Sequence, residues 1–392
     1  MWAETFWGEN QVKYVRIFGR GKMWQVAFLF LVFFVFFGCG TPESWAKTEK
    51  KHVVMSIRPA DPGDVDQLFA RARAFFHAGD HVSAVRLLEK AANQGHVDSQ
   101  LVLALMYYKG KGVRQDYVLA REWYEKAANQ GNAPAQHNLG VIYSEGQGVG
   151  QDSVLAHQWW LKAASQGYAE SQFNLYMVYH HGQGVDKDSV LALQWLEKSA
   201  SQGLAEAESI LGVLYLTGQG VQKDYVLARE WLEKAANQGD AQAQHNLGVM
   251  YREGLGVGQN SVLAHQWWLK AASQGHAGSQ FNLYMVYQHA RGVDKDSVLA
   301  LQWLEKSASL GLAEAQSILG LLYFSGDGVQ RDTVLALKWL EKAANQGEVR
   351  AQVALGMMYC KGEGVARDKE KARALLGLSF LQELPIPDPC PD

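Results

Sequence analysis

Cysteine and proline are scarce in this sequence, and neither sign of charge dominates. Three cysteines among 392 residues exclude a small, disulfide-dense extracellular scaffold. Lysine and arginine total 37 against 40 aspartate and glutamate residues, a net charge of -3. A nucleic-acid-binding surface needs an excess of basic residues, so this balance argues against a nucleic-acid partner. By contrast, 39 glycines accompany only 8 prolines, which suggests one glycine turn used many times.

The N-terminal segment has the pattern of an export signal. An unbroken apolar run spans residues 26–37. It follows four basic residues, Lys13, Arg16, Arg20 and Lys22. A basic head before an apolar stretch of about 7–15 residues is typical of a secretory signal, and a spanning helix needs about 20. We therefore predict a signal sequence over residues 1–46, followed by a polar tether over 47–63.

Two processing sites compete after this apolar run. Cys39 resembles the acylated cysteine of a bacterial lipoprotein, although Phe36 stands where such a cleavage site usually has leucine. Residues 44–46 (SWA) suit ordinary signal peptidase instead, and cleavage there would remove Cys39. In either case we expect the mature chain in the periplasm, at the outer membrane or secreted. Membrane attachment is expected only through the signal or a lipid on Cys39.

A repeat of 36 residues fills most of the remaining sequence. Seven tryptophans keep this spacing: Trp123, Trp159, Trp195, Trp231, Trp267, Trp303 and Trp339. Glycines that close a KAANQG-like phrase keep it too: Gly95, Gly131, Gly167, Gly203, Gly239, Gly275, Gly311 and Gly347. Self-similarity at a fixed period is the signature of a repeat protein.

A longer period is superimposed on the 36-residue repeat. Residues 121–203 and 229–311 are nearly identical at an offset of 108 residues, which equals three repeats. We infer the duplication of a block of three repeats. Surface features should therefore recur at every third repeat.

Each unit contains two helical patterns, which are clear in residues 132–167. Gly140 lacks a side chain and would let a neighbouring helix approach closely. Gly146 predicts the end of the first helix, because glycine accepts the left-handed conformation of a helix C-cap. Asp152 is placed to cap the second helix. Trp159 lies among alanines on the apolar side of that helix, which favours a core position over a carbohydrate-binding platform.

A typical unit thus has a Leu-Gly pair such as Leu139-Gly140, a GxGV turn, a capping aspartate and a tryptophan. This pattern resembles the Sel-like repeat family, relatives of the tetratricopeptide repeat with a longer, glycine-rich turn. The resemblance covers residues 96–383, eight units, and implies an all-α, right-handed α-solenoid of antiparallel helix pairs. Residues 64–95 predict a further helix pair without the GxGV phrase, a tetratricopeptide-like N-terminal cap. The proline-rich tail 384–392 cannot be helical.

The resemblance also implies a scaffold for protein or peptide partners. In tetratricopeptide-like solenoids the first helix of each pair lines the concave face. Carried over to this chain, the predicted groove contains His137, Phe173, Met177, His180, His245, Phe281, Met285 and Phe324. Phenylalanine and methionine on an accessible wall suit adaptable binding of a peptide or a helix. The pairs Phe173/Met177 and Phe281/Met285 are predicted to form two equivalent apolar subsites.

No catalytic residue, cofactor site or metal site is predicted. A repeat protein presents the same residue types many times along the chain. A catalytic site instead needs different residue types brought together at one place. The Gly-x-Gly turns follow no strand, and the histidines lack HExxH or CxxC spacing. One branch of the Sel-like family, linked to β-lactams, has a cysteine pair in each repeat, which this sequence lacks. The alternatives are a peptidoglycan- or β-lactam-directed enzyme or binder and a secreted factor that acts on host cells.

Further expectations concern single positions. Cys360 and Cys390 would remain after export, and a disulfide between them would hold the tail against the last helix pair. Ala290 replaces the first glycine of a GxGV turn, which predicts strain if that position is left-handed. Tyr176 and Tyr284 replace the close-packing glycine, so each should displace the neighbouring helix or turn outward.

Overall fold

The structure is a computed structural model, and it describes residues 64–380. This part of the chain contains eighteen α-helices and no β-strand. Successive helices form pairs, each with a first helix, a loop and a second helix. The all-α architecture of repeated helix pairs predicted from the sequence is confirmed.

The helices are 12 or 13 residues long. The first helices of the pairs are α1 (Val65–His77), α3 (Val97–Lys109), α5 (Ala133–Glu145), α7 (Ala169–His181), α9 (Ala205–Thr217), α11 (Ala241–Glu253), α13 (Ala277–His289), α15 (Ala313–Ser325) and α17 (Val349–Lys361). The second helices are α2 (His81–Asn93), α4 (Tyr117–Asn129), α6 (Ser153–Ser165), α8 (Ser189–Ser201), α10 (Tyr225–Asn237), α12 (Ser261–Ser273), α14 (Ser297–Ser309), α16 (Thr333–Ala344) and α18 (Lys369–Phe380).

The chain divides into two compact units between Trp195 and Leu196, within α8. The first unit contains α1 to α7, and the second contains α9 to α18. In the part of the chain that the structure describes, no helix combines the length and the apolar character that crossing a membrane requires.

Loop chemistry fixes the helix ends inside each repeat. Gly146 caps the C-terminus of α5, and its φ of 72° is the left-handed conformation predicted for this glycine. The carboxylate of Asp152 then accepts the backbone N–H of Leu155 at 2.9 Å and caps α6. The backbone N–H of Asp152 donates to the carbonyl of Tyr143 at 2.8 Å and closes the loop. The predicted turn and cap are confirmed.

One of these turns lacks its glycine. Ala290 ends α13 with a φ of 53°, and it is the one non-glycine residue with positive φ in residues 64–380. The left-handed conformation on which the predicted strain depends is therefore present. An L-residue there carries a penalty of about 1 kcal/mol relative to glycine.

Glutamine side chains form hydrogen bonds both between consecutive repeats and within helix pairs. Gln136 Nε2 donates to the carbonyl of Ala128, at the end of α4, at 3.1 Å. Gln166 Nε2 donates in turn to Gln136 Oε1 at 2.7 Å. Gln346 and Gln316 form the same bond at 2.8 Å. The bond from Gln136 satisfies a carbonyl that a helix C-terminus otherwise leaves to solvent.

Leu310 interrupts this series of glutamines. It follows α14 at the position that Gln166 and Gln346 hold in their repeats. Gln280 Oε1, the acceptor that this glutamine would meet, is buried and has no hydrogen-bond partner among the described residues. The repeat of α13 and α14 therefore retains an unsatisfied polar atom that its neighbours avoid.

Close contact between paired helices depends on glycine. A Cβ atom at Gly140 would overlap the indole ring of Trp160, and one at Gly248 would overlap that of Trp268. The close approach predicted at Gly140 is confirmed. Each missing side chain is matched by a large ring on the second helix.

The tryptophans spaced by 36 residues are less buried than the sequence predicts. Trp159 is partly exposed and packs at the edge of a core cluster, whereas Trp160 is buried in it. The Lys162 ammonium lies over the Trp159 ring, 3.9 Å from its centroid. Trp160 lies three or four residues from each of Ala156, Ala163 and Ala164, so it faces the core more directly.

Candidate partner-binding face

The eight residues predicted to line a groove all lie on first helices. In each unit, the side of the first helices that carries these residues is called here the first-helix face. The first unit contributes His137, Phe173, Met177 and His180, and the second contributes His245, Phe281, Met285 and Phe324. Partner binding at these residues stays a prediction.

Exposure differs between equivalent residues of the two units. His137 is 6% exposed and Phe173 is 8% exposed, whereas their counterparts His245 and Phe281 are partly exposed. His180 is exposed, and the others are partly exposed: Met177, Met285 and Phe324. The second unit therefore presents the more accessible phenylalanine.

Two histidines of the face join consecutive first helices. His137 Nδ1 lies 2.9 Å from Ser171 Oγ in the first unit, and His245 Nδ1 lies 2.9 Å from Ser279 Oγ in the second. Burial lowers the pKa of His137 to about 3. Burial, together with the neighbouring His276, lowers the pKa of His245 well below its usual value. Both imidazoles are therefore neutral near pH 7, and their Nδ1 atoms are engaged within the fold.

The two phenylalanines make the same aromatic contact in both units. The ring centroids of Phe173 and Tyr176 are 5.9 Å apart, and those of Phe281 and Tyr284 are also 5.9 Å apart. Tyr176 additionally stacks on His180 at 5.5 Å, whereas the second unit has glutamine at that position. The two predicted apolar subsites therefore share the Phe–Tyr contact and differ where the first has His180 and the second has Gln288.

Tyr284 replaces the close-packing glycine, and it is buried. It packs with Ala300 and Leu304 in a core cluster. The outward orientation that the sequence left open for this tyrosine is therefore wrong. In the preceding repeat Trp268 faces Gly248 instead, so the large ring can lie on either helix of the pair.

Phe324 lies near the end of α15. It packs against a cluster that contains Leu340 and Met358. Arg331 Nε donates to the Phe324 carbonyl at 3.1 Å, and the guanidinium lies 5.8 Å from the ring centroid. A cation therefore borders the apolar surface at this end of the face.

The sequence analysis did not single out four asparagines that lie on the same first helices: Asn138, Asn174, Asn246 and Asn282. The sequence did contain a signal, because asparagine occupies this position only in the duplicated blocks. The structure adds that the side-chain nitrogens of the first three are buried, with no hydrogen-bond partner among the described residues.

Several predicted features lie outside the described residues. These are the signal sequence, the tether and Cys39 before residue 64, and the whole proline-rich tail (384–392) with Cys390 after residue 380. Cys360 is disulfide-bonded, and its pairing with Cys390 stays a prediction. Within residues 64–380, no three histidine, cysteine, aspartate or glutamate side chains are grouped to hold a metal ion.

Comparison with known families gives a match over most of the chain. The Sel1 repeat matches nine consecutive segments: 78–96, 97–132, 133–168, 169–204, 205–240, 241–276, 277–312, 313–348 and 349–382. The first of these segments falls mostly within the predicted N-terminal cap. The bounds of the cap and of the eight-repeat array stay predictions.

Two solved structures are similar to this chain over most of their own lengths. One is c5321, a protective antigen present in uropathogenic Escherichia coli strains, with 31% identity and a TM-score of 0.63 over 82% of this chain and 77% of that one. The other is a Sel1 repeat protein from Oxalobacter formigenes, with 34% identity and a TM-score of 0.58 over 62% and 96%. No similar protein is found among the curated proteins.

The E. coli structure displays the SLR fold, the family architecture expected from the sequence. The helix pairs, the 36-residue register and the matched segments agree with one another. The predicted α-solenoid class is confirmed. This chain belongs to the Sel1 repeat family.

Proposed function

We propose that this protein is an exported scaffold of the bacterial cell envelope that binds protein or peptide partners through the first-helix face. One observation carries the proposal. Phe281 and Met285, four residues apart on α13, pack their inner sides on the core and remain partly exposed. Burial of this remaining apolar surface by a partner would contribute free energy of binding.

The helices that carry these residues are held firmly, which supports a binding role. His245 and Ser279 join α11 to α13, and Asn260 accepts the backbone N–H of Leu263 at 3.0 Å to cap α12. A preorganised face loses little conformational entropy when a partner binds. A partner could bind such a face without a conformational change in the repeats.

Repetition also argues for a scaffold over an enzyme. The first-helix face offers the same apolar and imidazole groups again three repeats further along the chain, and its buried histidines are held neutral by the fold. An enzyme needs a nucleophile, acid or base set apart from its copies. Sel1 repeat proteins are generally non-enzymatic scaffolds, and this chain is proposed to act in the same way.

Export rests on the N-terminal pattern of basic residues before the apolar run 26–37. The E. coli relative is a protective antigen, which is consistent with export of this chain. Incorporation of labelled palmitate by the native chain, and its loss in Cys39→Ala, would establish the lipoprotein form. A soluble mature protein that begins at Lys47 would reject lipidation and leave export in place.

Photo-crosslinking tests the binding face. A benzoylphenylalanine at residue 281 should form a discrete adduct with a partner in intact cells, because that position is partly exposed on the first-helix face. Val298 provides the matched control, since it is 71% exposed on second helix α14 of the same repeat. Equal adducts from residues 281 and 298, or adducts from residue 298 alone, would reject the face as the binding surface.

A further inference from the structure

The last first helix, α17, has apolar side chains that no following helix covers. In the repeat of α13 and α14, Phe281 and Met285 pack against a cluster that includes Leu319 of the next first helix, α15. Their counterparts on α17 are Val353 and Met357, and no further first helix follows α17 among the described residues. Val353 is partly exposed, and Met357 is 53% exposed. This end of the first-helix face therefore offers an uncovered apolar surface.

Cys360 lies on the same face of α17. It stands one repeat after Phe324 and five repeats after His180. Cys360 is partly exposed and disulfide-bonded. The sequence has two other cysteines, Cys39 and Cys390. Acylation would convert the Cys39 thiol into a thioether, and cleavage after residue 46 would remove it, so Cys390 is the partner that remains in either processed form.

Helices α17 and α18 run in opposite directions. The backbone N–H of Asp368, just before α18, donates to the carbonyl of Tyr359 near the end of α17 at 2.9 Å. A Cβ atom at Gly356, earlier on α17, would overlap Leu376, which is later on α18. The C-terminal end of α18 therefore lies toward the start of α17. A chain that leaves α18 must travel back along α17 to reach Cys360.

The proline-rich tail has the length and the stiffness for this path. Val349 and Cys360 are eleven residues apart on α17, a rise of about 17 Å. Six residue steps separate Leu384 from Cys390, and a polyproline II chain covers about 19 Å in six steps. Prolines alternate with other residues over 385–391 and favour this conformation. The residues before Leu384 can cross from α18 to α17, since packed helices are about 8–10 Å apart.

We propose that residues 384–390 lie along α17 over Val353 and Met357, and that a disulfide between Cys360 and Cys390 holds them there. The leucine, isoleucine and proline side chains of the tail cover the apolar surface that a following first helix would otherwise bury. This end of the first-helix face thus binds an extended, proline-rich segment of its own chain, which ends the array as a cap does. The inference goes beyond the proposed function and does not depend on it.

Photo-crosslinking within the purified full chain tests the path of the tail. Cys39→Ala leaves two cysteines, and benzoylphenylalanine replaces Met357 in this background. Mass spectrometry of proteolytic fragments should show residue 357 joined to residues 384–391 of the same chain. Benzoylphenylalanine at residue 334 is the matched control, because Val334 is 70% exposed on second helix α16. It should give no product with the tail.

The equilibrium of the disulfide with glutathione measures how firmly the tail is held. Two glutathione molecules reduce the bond between Cys360 and Cys390, which gives two cysteine thiols and one glutathione disulfide. A tail that docks on Met357 keeps the two thiols close together, so Met357→Ser should shift this equilibrium about fivefold toward the thiols. Met357 is exposed, so the variant should keep the fold. Val334→Ser should leave the equilibrium at its native position.

The outcomes distinguish the tail from other occupants. A crosslink from residue 357 to the tail, together with the shift in Met357→Ser, would support the inference. Crosslinks from residue 357 only to a second copy of the chain, or no crosslink, would overturn it. Equal equilibria for Met357→Ser and Val334→Ser, or a dimer linked through Cys360, would overturn it as well. None of these results bears on partner binding at Phe281, so the proposed function is tested separately.

Discussion

The indole ring of Trp160 lies against the backbone of Gly140, and its Nε1 donates to the carbonyl of His137 at 3.1 Å. An exposed helical glycine is usually about 1 kcal/mol less favourable than alanine. At Gly140 alanine should be the less favourable residue, because its methyl group would overlap the buried ring of Trp160. Gly140→Ala should lower the free energy of unfolding by about 1–3 kcal/mol, measured by urea denaturation.

Gly150→Ala is the control for that substitution. Apart from its chain neighbours, no described residue has an atom within 4 Å of a Cβ at Gly150, and its φ is not positive. Its effect should stay within about 0.5 kcal/mol. A Gly140→Ala variant that is as stable as the Gly150→Ala variant would show that the two helices are not held in close contact.

The turn at Ala290 should become more stable when glycine is restored. Ala290 has a φ of 53°, and glycine adopts this conformation without the Cβ penalty. Ala290→Gly should raise the free energy of unfolding by about 1 kcal/mol. Gly254→Ala places alanine in the equivalent turn of the preceding repeat and should lower it by a similar amount. An unchanged or lower melting temperature for Ala290→Gly would contradict strain at this residue.

Leu310→Gln should restore the bond within the α13–α14 pair that Gln280 lacks. The new amide would donate to Gln280 Oε1, as Gln346 does to Gln316 at 2.8 Å. Satisfying this buried acceptor should stabilise the protein by about 1 kcal/mol, measured by thermal and urea denaturation. Gln346→Leu should create the same gap and destabilise the protein. Equal stability of all three proteins would mean that the glutamine series contributes nothing.

His276 should make the second unit sensitive to acid. Its ring centroid lies 4.4 Å from that of His245, and burial lowers the pKa of His276 to about 4. The unfolded chain has a histidine pKa near 6.5 and binds more protons between about pH 6.5 and 4, so stability falls as pH falls through that range. Arg252 also disfavours protonation of His245.

The duplicated block supplies a matched variant for this test. Tyr168 stands at the equivalent position and packs on His137 at 5.1 Å. His276→Tyr should therefore fold, and between pH 7 and pH 4.5 it should lose about 2 kcal/mol less stability than the native chain. Identical acid dependence of the two proteins would show that His276 is not held neutral by the fold.

Sequence periodicity was sufficient for the architecture and for several local details. The 36-residue register predicted the helix pairs, the glycine turn at Gly146, the cap at Asp152 and the close contact at Gly140. Each of these follows from local rules of helix termination or from the absence of a side chain. Because these features repeat, the interpretation of one unit could be applied to the others.

The burial of individual side chains could not be predicted in the same way. Phe173 and Phe281 have nearly identical sequence neighbours, yet only Phe281 is partly exposed. Likewise Trp159 and Trp160 differ by one helical step, and the core side of α6 is set by tertiary packing. The asparagines show a further limit, since only the structure reveals that the buried Asn138 side chain has no hydrogen-bond partner among the described residues.

The central claim is that partners bind the first-helix face, and affinity measurements test it most directly. The partner captured by crosslinking at residue 281 should be titrated against the native chain, Phe281→Ala and Val298→Ala. We predict about tenfold weaker binding for Phe281→Ala, because a partner buries this ring, and native affinity for Val298→Ala. Native affinity for a folded Phe281→Ala protein, or a larger loss for Val298→Ala, would contradict binding at the first-helix face.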